Sequence, residues 1–95
     1  MFSLDGKTAL VTGASGGLGQ SIAKSLHANG AHVILSGTRE AVLNEVAQEI
    51  GGDRVHVVTA NLGDAEGIEK LAKDAEAVTG QVDILVNNAG ITRDQ

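Results

Sequence analysis

The chain contains no cysteine, no proline, no tyrosine and no tryptophan, and it has a single phenylalanine. Without cysteine there can be no disulfides and no thiolate metal sites, a composition that suits a cytoplasmic protein. Without proline nothing breaks a helix from within, so regular elements joined by short turns are expected. No apolar run is long enough to cross a bilayer. The opening Met1-Phe2-Ser3-Leu4-Asp5-Gly6-Lys7 lacks the basic stretch and apolar core of a secretory signal. A net charge of −5 argues against a nucleic-acid backbone as partner. His27, His32 and His56 show no ligand spacing with one another or with a carboxylate, so they read as structural or surface residues and no metal site is expected.

What is present is a globular composition, 42% hydrophobic, over 95 residues, which is enough for one small domain with a modest core. The organising stretch is Thr8 to Gly19. Ala9 to Val11 is a short apolar run of the kind found in buried parallel strands, and it runs into a glycine-rich turn that opens a helical pattern. The free N–H groups of a first helical turn, together with the helix dipole, favour an anion at such a place. Gly13, Gly17 and Gly19 give Gly-x-x-x-Gly-x-Gly, which fits neither Gly-x-Gly-x-x-Gly nor a Walker A loop. Gly13 would permit the tight exit from the strand, Gly17 the approach of a pyrophosphate, and Gly19 close packing of helix on strand.

Leu18, Ile22, Ala23 and Leu26 recur at helical spacing, predicting helix one from Gly17 to Asn29 with Gly30 as its terminator. Strand two is expected from His32 to Ser36. Thr38 is the expected N-cap of a second helix with Val42, Leu43, Val46, Ala47 and Ile50 on one face. Strand three is expected from Val55 to Ala60. Asp64 would cap a third helix carrying Ile68, Leu71, Ala72, Ala75 and Val78, with solvated pairs Glu66–Lys70 and Glu69–Lys73 on its other side. Strand four is expected from Asp83 to Asn87. This βαβαβαβ alternation implies an α/β fold with a parallel sheet, and right-handed crossovers give the strand order 3-2-1-4. That is the first half of a Rossmann, doubly wound dinucleotide-binding fold, with its switch point between strands one and four.

The end of strand two bears on the choice of dinucleotide. A carboxylate there would accept hydrogen bonds from the adenosine ribose and repel a 2′-phosphate. The chain has Ser36-Gly37-Thr38-Arg39 instead, and a hydroxyl with a guanidinium fork suits phosphate oxygens. NADP(H) is the expected cofactor.

Thr12-Gly13-x-x-x-Gly17-x-Gly19 followed by Asn87-Asn88-Ala89-Gly90 resembles the short-chain dehydrogenase/reductase family over the whole chain, matching the N-terminal part of that family. The tail from Ile84 to Asp94 resembles one branch of it, the bacterial 3-oxoacyl-[acyl-carrier-protein] reductases of fatty-acid synthesis. The resemblance implies cofactor contacts at Gly13, Ser15, Gly16, Gly17, Leu18, Gly19, Thr38, Arg39, Asn61, Leu62, Asn88, Ala89 and Gly90. Asn61 would lie against the adenine, Asn88 and Gly90 beside the ribose, and Asn87 would brace neighbouring strands. Many NADP-using relatives carry a basic residue at the position of Gly16. The resemblance further implies hydride transfer to a 3-oxoacyl thioester on acyl carrier protein, a homotetrameric parent, and a catalytic Ser…Tyr-x-x-x-Lys set outside residues 1–95. These residues would then be the dinucleotide-binding segment of a single Rossmann domain, without the catalytic half and inactive alone. A dinucleotide-binding module without catalysis, and a short-chain reductase of another substrate, remain open at this point. A methyltransferase is disfavoured, because its cofactor ribose calls for an acid after strand two.

Overall fold

A computed structural model of the chain describes residues 3–59 and 65–88. The elements run β1 (Thr8–Val11), α1 (Gly17–Ala28), β2 (His32–Gly37), α2 (Glu40–Ile50), β3 (Val55–Thr59), α3 (Ala65–Thr79) and β4 (Ile84–Val86). The four strands are parallel and ordered β3-β2-β1-β4, as the crossover rule requires. Ala9 pairs with Val33 on one side and Ile84 on the other, so β1 is central and all four of its residues are buried.

Side-chain alternation along these strands divides the core between two faces. Ala9, Val11, Val33 and Leu35 point to the side covered by α1 and α2, where they meet Ala23, Leu43 and Val46. Leu10 and Ile34 point to the other side and meet Leu71 and Ala75 of α3. Ile34 is fully buried, and its replacement by alanine should lower stability by about 2–5 kcal/mol, the range for a large-to-small core change. Urea unfolding checks this, and a loss below 1 kcal/mol would mean that the α3 face is not closed around it.

Helix α1 ends as the sequence implies, one residue early. Gly30 adopts φ +105°, its N–H donates to His27 O, and the Ala31 N–H reaches back to Leu26 O. These are the two bonds of a Schellman cap, with Asn29 as the C-cap residue.

Several expectations need correction. The N-cap of α2 is Arg39, with no side-chain cap, so Thr38 lies one residue outside the helix and does not close it. Leu18 is 56% exposed instead of core-facing, because the first turn of α1 projects past the end of the sheet. Among the α3 side chains described, Leu71 and Ala75 are the buried ones. Ala72 and Val78 are exposed, whereas Leu71 and Ala75 pack against Leu10 and Ile34 with Val58 and Val82 beside them. Lys70 pairs with Asp74 at 2.7 Å, and no ion pair joins Glu69 to Lys73. Ala60, the expected cap Asp64 and the Glu66 side chain lie outside the described residues, as does the Ile68 side chain. No helix among the described residues is long and apolar enough to cross a membrane.

Candidate functional site

The C-terminal ends of β1, β2 and β4 converge on the turn between Thr12 and Gly16. Gly13 takes φ +64°, a backbone conformation that side chains disfavour, and this sends the chain sharply out of β1. The turn is then tied down on both flanks. Toward β4, the Thr12 N–H donates to Val86 O at 3.0 Å, and its hydroxyl lies 3.2 Å from the same carbonyl and 3.4 Å from Asn87 Oδ1. Toward β2, the Ala14 N–H donates to Ser36 O at 3.0 Å. Gln20 Nε2 reaches back to Ser15 O at 3.0 Å and fixes the turn against the first coil of α1.

The two remaining glycines of the motif have opposite surroundings. A Cβ at Gly19 would run into Gly13 O and would come within 2.9 Å of Ala14 Cα and 3.0 Å of Asn88 Nδ2. Gly19 is therefore the contact that lets α1 sit directly on the turn. Among the described residues, a Cβ at Gly17 would meet nothing within 4 Å beyond its chain neighbours and its own helix backbone. Gly17 faces open space in front of the helix N-terminus, where a ligand would lie.

Among the described residues, that N-terminus has no competing occupant. Gly16 is the N-cap, no side chain caps the helix, and no acidic residue stands in its first turn. The positive end of the helix dipole and its N–H groups are thus presented toward the open side of Gly17. Leu18, exposed on the same turn, offers an apolar surface beside them.

The β2 end completes the rim. Gly37 approaches Ser15 Oγ, whose distance from a Cβ built there would be 3.9 Å. The Leu43 methyls would lie 3.7 and 3.8 Å away, so an L side chain would make only ordinary contacts. Thr38 and Arg39 follow, both exposed, and neither described ion pair involves Arg39. No carboxylate stands between Ser36 and Arg39.

Of the predicted site residues, the fold brings Gly13, Ser15, Gly16, Gly17, Leu18, Gly19, Thr38 and Arg39 to one end of the sheet. Asn88 joins them in a different capacity. It is 1% exposed, and its Nδ2 donates to Gly13 O at 3.1 Å, so it braces the turn. Asn87, expected as the brace, is exposed, and its Oδ1 accepts from the Thr12 hydroxyl at 3.4 Å, which ties the end of β4 to that of β1. Asn61, Leu62, Ala89 and Gly90 lie outside the described residues. Sequence reasoning missed the Thr12 hydroxyl and Gln20 as supports. No local pattern marks Gln20, whereas Thr12 at a buried strand end could have been asked where its hydroxyl bonds.

Residues 7–95 match the family model described as short chain dehydrogenase. Over 94 residues the chain is 55% identical to nodulation protein G of Rhizobium sp. (strain N33), covering 99% of this chain and 38% of that protein. It is 46% identical over 92 residues to the 3-oxoacyl-[acyl-carrier-protein] reductase FabG of Salmonella typhimurium, covering 97% of this chain and 37% of that one. Among solved structures, it superimposes on the 3-ketoacyl-(acyl-carrier-protein) reductase from Brucella melitensis complexed with NADH. The TM-score is 0.81 at 37% identity, over 87% of this chain and 34% of that one. The chain thus spans less than two fifths of the length of these relatives.

Proposed function

Because the chain belongs to the short-chain dehydrogenase family, we propose that it is the cofactor-binding segment of an NADPH-dependent 3-oxoacyl-[acyl-carrier-protein] reductase. The observation that carries the reading is the uncapped N-terminus of α1 with open space at Gly17, set beside a β2 end that bears Thr38 and Arg39 and no acid. The first feature suits a pyrophosphate and the second suits a 2′-phosphate. A Cβ at Gly37 would fit, so the missing carboxylate there is not excluded by space, and its absence leaves the 2′-phosphate unrepelled.

In this reading Gly13, Ser15, Gly16, Gly17, Leu18 and Gly19 line the dinucleotide, Thr38 and Arg39 hold its 2′-phosphate, and Asn61 and Leu62 flank the adenine. Asn88, Ala89 and Gly90 border the ribose, with Asn88 also fixing the turn through Gly13 O. The bound nicotinamide supplies a hydride for a 3-oxoacyl thioester carried by acyl carrier protein. The chain's own residues bind and orient the cofactor and contribute no proton donor of the family's tyrosine type, since no tyrosine is present. The whole protein is proposed to act as a cytoplasmic homotetramer. The resemblance to nodulation protein G favours a second reading, the same reduction on a different acyl carrier substrate.

Arg39→Asp in the full-length protein should weaken NADP(H) binding by roughly 1.5–3 kcal/mol, the worth of a hydrogen bond to a charged group, with repulsion added. NAD(H) should be affected much less. Equal weakening of both cofactors in a fluorescence titration would show that Arg39 does not read the 2′-phosphate. Purified residues 1–95 alone should not oxidise NADPH with a 3-oxoacyl thioester present, and turnover by that material would overturn the assignment of the proton donor to other residues of the protein.

A further inference from the structure

The end of the sheet opposite the glycine turn gathers all three histidines of the chain. His27 lies in the last turn of α1, His32 opens β2, and His56 is the second residue of β3. The register that sets Ile34 against His56 places the His32 and His56 rings on one face, with planes 4° apart and centroids 5.9 Å apart. His27 Nε2 and His32 Nδ1 are shut off from solvent and have no hydrogen-bond partner among the described residues. Arg54 is fixed beside them, donating from Nη1 to His27 O at 3.2 Å and to Ala31 O at 2.8 Å. A permanent positive charge therefore stands next to these rings.

The surroundings offer little to neutralise such charges. Asp53 favours the charged form of His56, and the Asp5 carboxyl packs against Gly30 at the end of α1. Asp83 is already engaged, since its Oδ2 accepts from the Thr8 N–H and from Gln81 Nε2, both at 2.9 Å. From α3 come Val78 and Thr79, and neither ionises. A cavity of about 340 Å³ among His32, His56, Thr8, Val78, Thr79 and Gln81 opens the stacked pair to solvent protons. Burial first, then Arg54 and His32, hold His27 below the usual histidine range. Burial and then His32 do the same for His56 against the opposing pull of Asp53.

We propose that this corner is a proton-sensitive latch on the edge strand: neutral rings keep β3 closed against β2 and the end of α1, and imidazolium formation beside Arg54 loosens it. The sign follows from the direction of the shifts. Groups that prefer to be neutral in the fold contribute stability that is complete above the free-histidine pKa of about 6.5 and is lost as pH falls from there toward their lower folded values. Aspartate and glutamate scarcely titrate between pH 7.5 and about 5.5, which isolates the histidine contribution.

The test is amide hydrogen exchange of β2 and β3 in the full-length protein at the two ends of that window, corrected for intrinsic rates. Protection should fall severalfold at the acid end, in the direction set by the lowered His27 and His56 values. The variant H27Q/H32Q/H56Q should show no such fall. Unchanged protection in the wild type, or the same fall in the variant, overturns the latch. If the triple variant does not fold, ring titration of the wild type by NMR decides, with resonances assigned through the single variants. His27 and His56 midpoints below 6.5 support the latch, and midpoints at or above 6.5 overturn it.

Discussion

Gly19→Val should destabilise the fold itself. The new Cβ is driven into Gly13 O and Ala14 Cα, which are backbone atoms of a turn already bonded to both β2 and β4. Neither flank can yield without breaking Ala14 N–H···O Ser36 or displacing Asn88 from Gly13 O. The loss should be about 3 kcal/mol or more, at the upper end of overpacking changes. Urea unfolding of the full-length variant measures it. A loss under 1 kcal/mol would show that α1 can slide off the turn at little cost, and that Gly19 is not the contact that sets their distance.

Gly17→Val should do the opposite, leaving the fold intact and removing the ligand. Among the described residues, nothing beyond the helix's own backbone lies within 4 Å of the added Cβ, and the position is in the first turn of a helix, where valine is no worse than glycine. Stability should therefore change by no more than about 0.5 kcal/mol, as for an ordinary surface substitution. The branched side chain would occupy the space in front of the α1 N–H groups, so the phosphates could not reach them. Losing two hydrogen bonds to a charged group, each worth about 1.5–3 kcal/mol, corresponds to a hundredfold or larger fall in affinity. Gly17→Ala should give a smaller fall. Calorimetric titration with NADPH checks both, and unchanged affinity of the valine variant would make this turn structural only. The two variants together separate the packing glycine from the ligand-facing glycine within one motif.

The fold was legible because its signals are redundant. Each strand of the central pair is a continuous apolar run, each helix ends at a glycine, and the handedness of the crossovers leaves one order for the strands. The glycine motif was legible for a similar reason, since the three positions have distinct steric demands. What periodicity could not show was how much of a helix meets the sheet. Ala72 and Val78 share the helical spacing of Leu71 and Ala75, but only the latter two turn to Leu10, Ile34, Val58 and Val82, and the other two stay exposed. Leu18 fits the apolar pattern of α1, yet its turn overhangs the sheet.

The roles of Asn87 and Asn88 could have been read more closely. Ile84 and Val86 pack inward and Leu85 is 63% exposed. Carrying that alternation two residues past β4 puts Asn88 inside and Asn87 outside, as observed. The histidine corner had no such signal. His32 and His56 come together only through the β2–β3 register, and spacing along the chain does not encode it.

On the proposed reading, the open side of the Thr12–Gly19 turn seats the phosphates of a nicotinamide dinucleotide. Its most direct test is the titration of isotope-labelled full-length protein with NADPH, followed by amide NMR shifts. The largest shifts should fall at the amides of Gly16, Gly17 and Leu18, with accompanying shifts at Thr38 and Arg39 and none at His32 or His56 on the opposite end. Saturable NADPH binding that leaves the Gly16–Leu18 amides unmoved would contradict it.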